Sequence, residues 1–211
     1  DAPGRDAALA WADRLGGSVD FYKIGMELLA SGDYFSVLDE LARRDKRVFV
    51  DLKFFDIPAT VAGVIRGLSR WPVTFCTIHG WHAGMMQAAA EARGGDLRLL
   101  AVTVLTSMDT AGLNEIGVTS PSADQVARLG KLVADSGLRG FVCSPLEVAL
   151  LCQQLPADMQ LITPGIRPAS EAGSDDQKRV MTPADAARAG STYIVVGRPI
   201  LQAADPAAAA R

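Results

Sequence analysis

The feature that most limits the fold is a repeated alternation of short apolar runs with amphipathic stretches. Apolar runs of strand length stand at 20–25, 47–53, 73–79, 97–105, 140–144, 160–165 and 192–197, and helical periodicity fills the intervals. Runs of this kind read as strands buried on both faces, and a helix after each returns the chain to begin the next strand in the same direction. Repeated this often, the pattern predicts a parallel sheet, either a (β/α)8 TIM barrel or a doubly wound sheet. The first recognisable element is the helix-like DAALAWADRLGG. A barrel that opens on a helix lacks its first strand, so eight strands are expected in all, with Asp1 where that first strand would end. Ser144-Pro145 and Thr182-Pro183 each set a capping hydroxyl before a proline suited to the first helical position. No linker or charge run divides the chain, and residues 1–211 are expected to form one domain.

The run RVFVDLKFFDIPATV, residues 47–61, breaks the apolar rule with Asp51, Lys53 and Asp56. Charges in a strand cost free energy when burial takes them from water unpaired, so they need a use. In a barrel of this type the chemistry sits at the carboxyl ends of the strands. Alternation turns Asp51 and Lys53 to one side, toward the mouth, while Asp56 follows in the loop before Ile57-Pro58. Lys23, in DFYKIG, occupies the corresponding end of the preceding strand. Interleaved ammonium and carboxylate groups keep one another ionised and present both charges to a ligand. An ion-pair network that only closes the barrel end is the alternative use.

A second constellation ends the last two strands. TPGIRP (163–168) and VVGRP (195–199) each place Gly closely before Arg, an arrangement suited to gripping a phosphate with backbone amides and a guanidinium. Barrel enzymes often hold phosphate in these loops. Between them runs a long polar loop, 169–183, suited to folding over a ligand, with Gln177 as its neutral hydrogen-bonding member. Two exposed arginines in turns are the plainer reading.

Composition narrows the partners. The 211 residues are 49% hydrophobic and 21% charged, enough for one large core, and a net charge of −3 offers no global field to nucleic acid or anionic lipid. Any bound anion therefore needs a local cluster. No apolar run approaches the roughly 18 residues that would suggest a membrane span. The opening lacks the basic-then-apolar order of a signal peptide, and Cys76, Cys143 and Cys152 have no metal-ligand spacing. These readings predict a cytoplasmic protein with inert, packed thiols and neither a nucleic-acid nor a membrane partner.

DLKFFDIPATV, joined in order with FYKIG, AVTVLTS, TPGIRP, DDQKRVMTP and VGRPI, resembles the orotidine 5′-monophosphate decarboxylase family over essentially the whole chain. D-x-K-x-x-D alone belongs to a wider group of phosphate-binding barrels; its continuation into Ile-Pro and the K-x-G lysine are more specific. The resemblance implies decarboxylation of orotidine 5′-monophosphate to UMP, with no metal and no organic cofactor, by a homodimer with shared active sites. Lys23, Asp51, Lys53 and Asp56 match the family's catalytic array, with Lys53 the proton donor to C6 and Asp51 set against the substrate carboxylate. Asp56, and Thr60 as a ribose contact, are implied to serve the neighbouring subunit's site. Asp1 matches a ribose-contacting aspartate, Thr106 a pyrimidine contact, Ile57 and Pro58 apolar packing near the departing carboxylate, and Arg167, Gln177, Gly197 and Arg198 the phosphate grip. Thr106 is preferred to Ser107 because alternation would turn the two apart. A magnesium-dependent hexulose-phosphate synthase would share D-x-K-x-x-D but is expected to carry an acid in place of Lys23. A non-catalytic UMP-binding protein would keep the arginines and be free to lose Lys53 or Asp51.

Overall fold

Each predicted apolar run becomes a strand in the computed structural model, which describes residues 1–168 and 180–211. The strands are β1 (Phe21–Gly25), β2 (Arg47–Phe54), β3 (Phe75–His79), β4 (Arg98–Val102), β5 (Gly140–Val142), β6 (Gln160–Thr163) and β7 (Tyr193–Ile194). They form one sheet in the order β1-β2-β3-β4-β5-β6-β7, and every neighbouring pair is parallel. The helices begin with α1 (Arg5–Leu15), α2 (Met26–Ala30), α3 (Tyr34–Arg43), α4 (Pro58–Leu68), α5 (Ala83–Ala92) and α6 (Thr110–Glu115). They continue with α7 (Ser122–Asp135), α8 (Val148–Gln154), α9 (Pro183–Ala189), α10 (Arg198–Leu201) and α11 (Pro206–Ala209). Among the described residues no helix is long and apolar enough to cross a membrane.

Side-chain alternation divides the interior in two. Along β2, Val48 and Val50 face the helices in a large core with Leu99 and Ala101 of β4 and Phe141 of β5. Phe49 points the other way, into a smaller cluster with Phe75, Leu100 and Ile162, against which Phe21, Val142 and Tyr193 pack. This second cluster lies on the concave face of a curled sheet. Tyr193 on the last strand meets Phe75 at 5.2 Å between ring centroids and Phe21 on the first strand at 6.0 Å. Curling brings the two ends of the sheet order into side-chain contact, as a (β/α)8-type barrel requires.

The inward positions change character along each strand. Phe21 is followed by Lys23, Phe49 by Asp51 and Lys53, and Phe75 by Thr77, so an apolar floor lies beneath a polar layer at the carboxyl ends. Local signals set the adjoining helix starts. Thr182 Oγ1 accepts from the Asp185 amide ahead of Pro183. Ser144 makes a capping box with Glu147, although the turn it opens is a 3-10 turn, Pro145–Glu147, that leads into α8. His82 caps α5 by accepting from the Met85 amide at Nδ1, and Met85 and Met86 are buried behind it.

Two expectations need correction. The fourth run ends as a strand at Val102, where the Thr103 hydroxyl donates to the Val142 carbonyl at 3.0 Å and the chain turns away. The thiols of Cys76 and Cys143 are packed inside, but Cys152 is exposed.

Candidate active site

The polar layer opens into a cavity of about 720 Å³ whose walls include Asp1, Lys23, Asp51, Lys53, Thr106, Arg167, Gly197 and Arg198. Residues separated by most of the chain thus share one chamber. Asp56 and Thr60 lie outside its lining and are exposed. The Asp56 carboxylate turns back to accept from the Ile57 amide at 2.6 Å. Phe55 and Ile57, on either side of it, are large apolar side chains left 60% and 66% exposed. Gln177 falls outside the described residues.

Asp51 is the centre of the array. Lys53 Nζ donates to its Oδ1 at 2.9 Å, Lys23 Nζ lies 3.0 Å from its Oδ2, and the Thr77 hydroxyl donates to Oδ1 at 2.9 Å. Burial opposes ionisation of this carboxyl, but the Lys23 and Lys53 ammonium groups outweigh it and hold the group below the usual carboxylate range. It is therefore a fixed negative charge between two positive ones.

Backbone geometry brings Lys53 to this place. Between Val50 and Phe54 the β2–β3 register slips, so that residues 51–53 of one strand stand against Thr77 alone on the other. Lys53 itself takes φ 50°, a left-handed conformation that costs a non-glycine residue of order 1 kcal/mol or more. Its amide, displaced from the ladder, donates to the Thr77 hydroxyl at 2.9 Å. Inward parity is nonetheless kept: Leu52 and Phe54 pack with the helix-side core while Asp51 and Lys53 meet inside.

Gly25, at the end of β1, stands beside the Asp1 carboxylate. A Cβ built there would fall 2.9 Å from Asp1 Oδ1, so a larger residue would make the Asp1 carboxylate shift.

Arg167 is buried in the cavity wall, with Nη1 donating to the Ile166 carbonyl at 2.8 Å. Its backbone amide donates to the Met181 carbonyl at 3.0 Å, and the Met181 amide donates to the Gly165 carbonyl at 3.2 Å. The chain returning from the long loop is thereby tied to the end of β6 beside the arginine. Arg198 follows β7 and lines the same cavity.

Thr106 and Ser107 both line the cavity, because β4 has already ended and strand alternation does not separate them. Sequence reasoning missed Thr77, whose hydroxyl touches both Lys53 and Asp51; a threonine within FCTIH reads only as a strand former. His79, two residues on, has its imidazole pushed below its ordinary pKa by burial and then by the charge of Lys53, and packs edge-on to Phe55. Chemically, the site offers an ammonium beside a buried carboxylate and, in the same cavity, two guanidinium groups. It suits an anionic ligand that develops further negative charge near Lys53.

Residues 1–211 match the family described as "Orotidine 5'-phosphate decarboxylase / HUMPS family". Over 210 residues the chain is 59% identical to an orotidine 5'-phosphate decarboxylase of Xanthomonas euvesicatoria pv. vesicatoria, covering 100% of this chain and 86% of that relative. It is 57% identical, over the same shares of both, to one from Xanthomonas campestris pv. campestris. Its fold is similar to the crystal structure of orotidine 5'-phosphate decarboxylase from Lactobacillus acidophilus, with TM-score 0.86 and 36% identity over 100% of this chain and 92% of that one. A second similar structure is an uncharacterized conserved protein from Geobacillus kaustophilus, with TM-score 0.84 and 32% identity over 99% of this chain and 93% of that one.

Proposed function

The chain belongs to the orotidine 5'-phosphate decarboxylase / HUMPS family, and on that footing we propose that it converts orotidine 5'-monophosphate to UMP, the last step of pyrimidine synthesis, with Lys53 as proton donor. The observation that carries this reading is the Lys23–Asp51–Lys53 array sharing one cavity with Arg167 and Arg198. The arginines suit the substrate phosphate, Thr106 the pyrimidine and Asp1 the ribose; Gly197 completes the grip, and Gln177, outside the described residues, is proposed as a further phosphate contact.

In the reaction the bond between C6 and the carboxylate carbon breaks, the electron pair stays on C6, and CO2 departs. No neighbouring carbonyl accepts that pair directly, so the site must stabilise it. The Lys53 ammonium does so by position and then transfers a proton from Nζ to C6; solvent restores the proton to the neutral amine. The chemistry asked of the chain is electrostatic and acid-base, and the lysines supply it without a cofactor. Asp51, held ionised, lies against the leaving carboxylate and favours its departure, a smaller contribution than stabilisation of the transition state. Phosphate binding far from C6 supplies remote binding energy that is spent on the chemical step.

Asp56 and Thr60 are exposed outside their own chain's cavity, which supports a homodimer in which each completes the neighbour's site. Exposure of Phe55 and Ile57 beside them supports the same assembly. The hexulose-phosphate reading is disfavoured because Lys23 puts an ammonium on Asp51 where a metal-binding acid is expected. Addition of orotidylate should bleach the orotate absorbance at a rate proportional to enzyme. Persistence of the chromophore under saturating substrate would exclude the decarboxylase reading.

A further inference from the structure

Thr77 sits in the middle of β3, wholly buried, with one hydroxyl between two functional groups. On one side the Lys53 amide lies 2.9 Å away, and on the other Asp51 Oδ1 also lies 2.9 Å away. The direction of both bonds follows from chemistry. An amide N–H only donates and an ionised carboxylate only accepts, so the hydroxyl accepts from Lys53 and spends its single proton on Asp51. No other orientation satisfies both neighbours.

The placement coincides with the register slip. Lys53 has left the β2–β3 ladder and stands at φ 50°, so its amide meets a side chain where a regular strand would offer a carbonyl. The same side chain holds the carboxylate to which the Lys53 ammonium binds. We propose that Thr77 is a positioning residue for the decarboxylation: its hydroxyl anchors the bulged backbone of Lys53 and orients the Asp51 carboxylate, and so sets where the Lys53 ammonium stands. The inference rests on Lys53 being the proton donor. Without the hydroxyl, a partly buried amide loses its acceptor and a buried carboxylate loses a donor, while the strained turn loses its anchor. Displacement of a reacting group by about 1 Å is enough to cost on the order of 100-fold in rate.

The test compares Thr77→Val, which keeps the branched shape and removes the hydroxyl, with Thr77→Ser, which keeps the hydroxyl. Thr77→Val should lower kcat for orotidylate by about 10- to 100-fold, with UMP affinity by calorimetry within about threefold of wild type, and Thr77→Ser should retain kcat within about threefold. Wild-type kcat in the valine variant, equal losses in both variants, or a loss confined to KM would each overturn the proposal. Hydrogen exchange gives a second reading in the unmodified protein, without substrate and without dependence on a variant's folding. The Lys53 amide should exchange slowly, like its strand neighbours, and exchange at open-loop rates would overturn the anchoring role. Failure of the wild-type protein to bleach orotidylate would instead strike the function proposed above and leave the exchange result standing.

Discussion

Lys53 holds Asp51 from within the same strand, its Nζ 2.9 Å from Asp51 Oδ1, while the β2 backbone bulges between them. Because Lys23 and the Thr77 hydroxyl also hold that carboxylate, removing Lys53 leaves Asp51 with two of its three partners. Lys53→Ala should therefore fold, with an unchanged far-ultraviolet circular dichroism spectrum, and lose decarboxylation by about 10⁴-fold or more. Near wild-type turnover in the folded variant would remove the proton-donor assignment.

Asp56 is exposed and lies outside the cavity that Lys53 of its own chain lines. If it completes a neighbour's site, mixing inactive Lys53→Ala with inactive Asp56→Ala subunits regenerates one intact site in each mixed dimer. Activity approaching about one quarter of wild type is then expected at random pairing of equal amounts. No recovery despite demonstrated subunit exchange would put Asp56 in its own chain's site.

Arg198, after β7, and Lys53, on β2, line one cavity from different elements, so each can be varied without touching the other. Truncating one partner of a charged hydrogen-bonded pair costs about 2–5 kcal/mol, or roughly 30- to several-thousand-fold. Arg198→Ala should lower kcat/KM for orotidylate by that factor and leave the much slower decarboxylation of orotidine, which has no phosphate, nearly unchanged. Comparable losses with both substrates would make Arg198 a support of the barrel, with the grip passing to Arg167.

His79 gives the fold a pH dependence of known sign. Burial, and then the charge of Lys53, hold its imidazole below the ordinary 6.5, so the unfolded chain binds the proton more readily. Its contribution to stability is present above pH 6.5 and is lost as pH falls through the lower folded value. Urea unfolding from pH 7.5 to 5 should show stability falling with acidity, and His79→Gln should flatten that fall. An unchanged slope in the variant would show that the dependence originates elsewhere.

Phe75 joins the floor beneath the site, packed against Phe21, Phe49 and Tyr193 and 1% exposed. Phe75→Ala should destabilise the protein by about 3–5 kcal/mol, read as a lower denaturant midpoint at constant slope. A loss below about 1 kcal/mol would mean that the floor collapses readily around the gap.

The order and kind of elements were legible in the chain because they depend on local periodicity. Runs such as RVFVDLKF can only be strands buried on both faces, and the helix between each pair forces parallel pairing. The charged residues were legible for the same reason: Asp51 and Lys53, two apart near a strand end, share a face whatever the rest of the chain does. Resemblance supplied the roles of Asp1 and Thr106, while the Gly-Arg motifs at the last two strand ends pointed the arginines at phosphate; periodicity alone assigns none of these. What only the tertiary structure decided are relations between strands. The slip opposite Thr77, the left-handed turn at Lys53, the meeting of Tyr193 with Phe21 and the turning of Asp56 out of its own cavity depend on pairing partners that lie dozens of residues away. Local propensity sees a threonine in a strand; register across the sheet turns it into the one hydroxyl within reach of both Lys53 and Asp51 among the hydrogen bonds of the described residues.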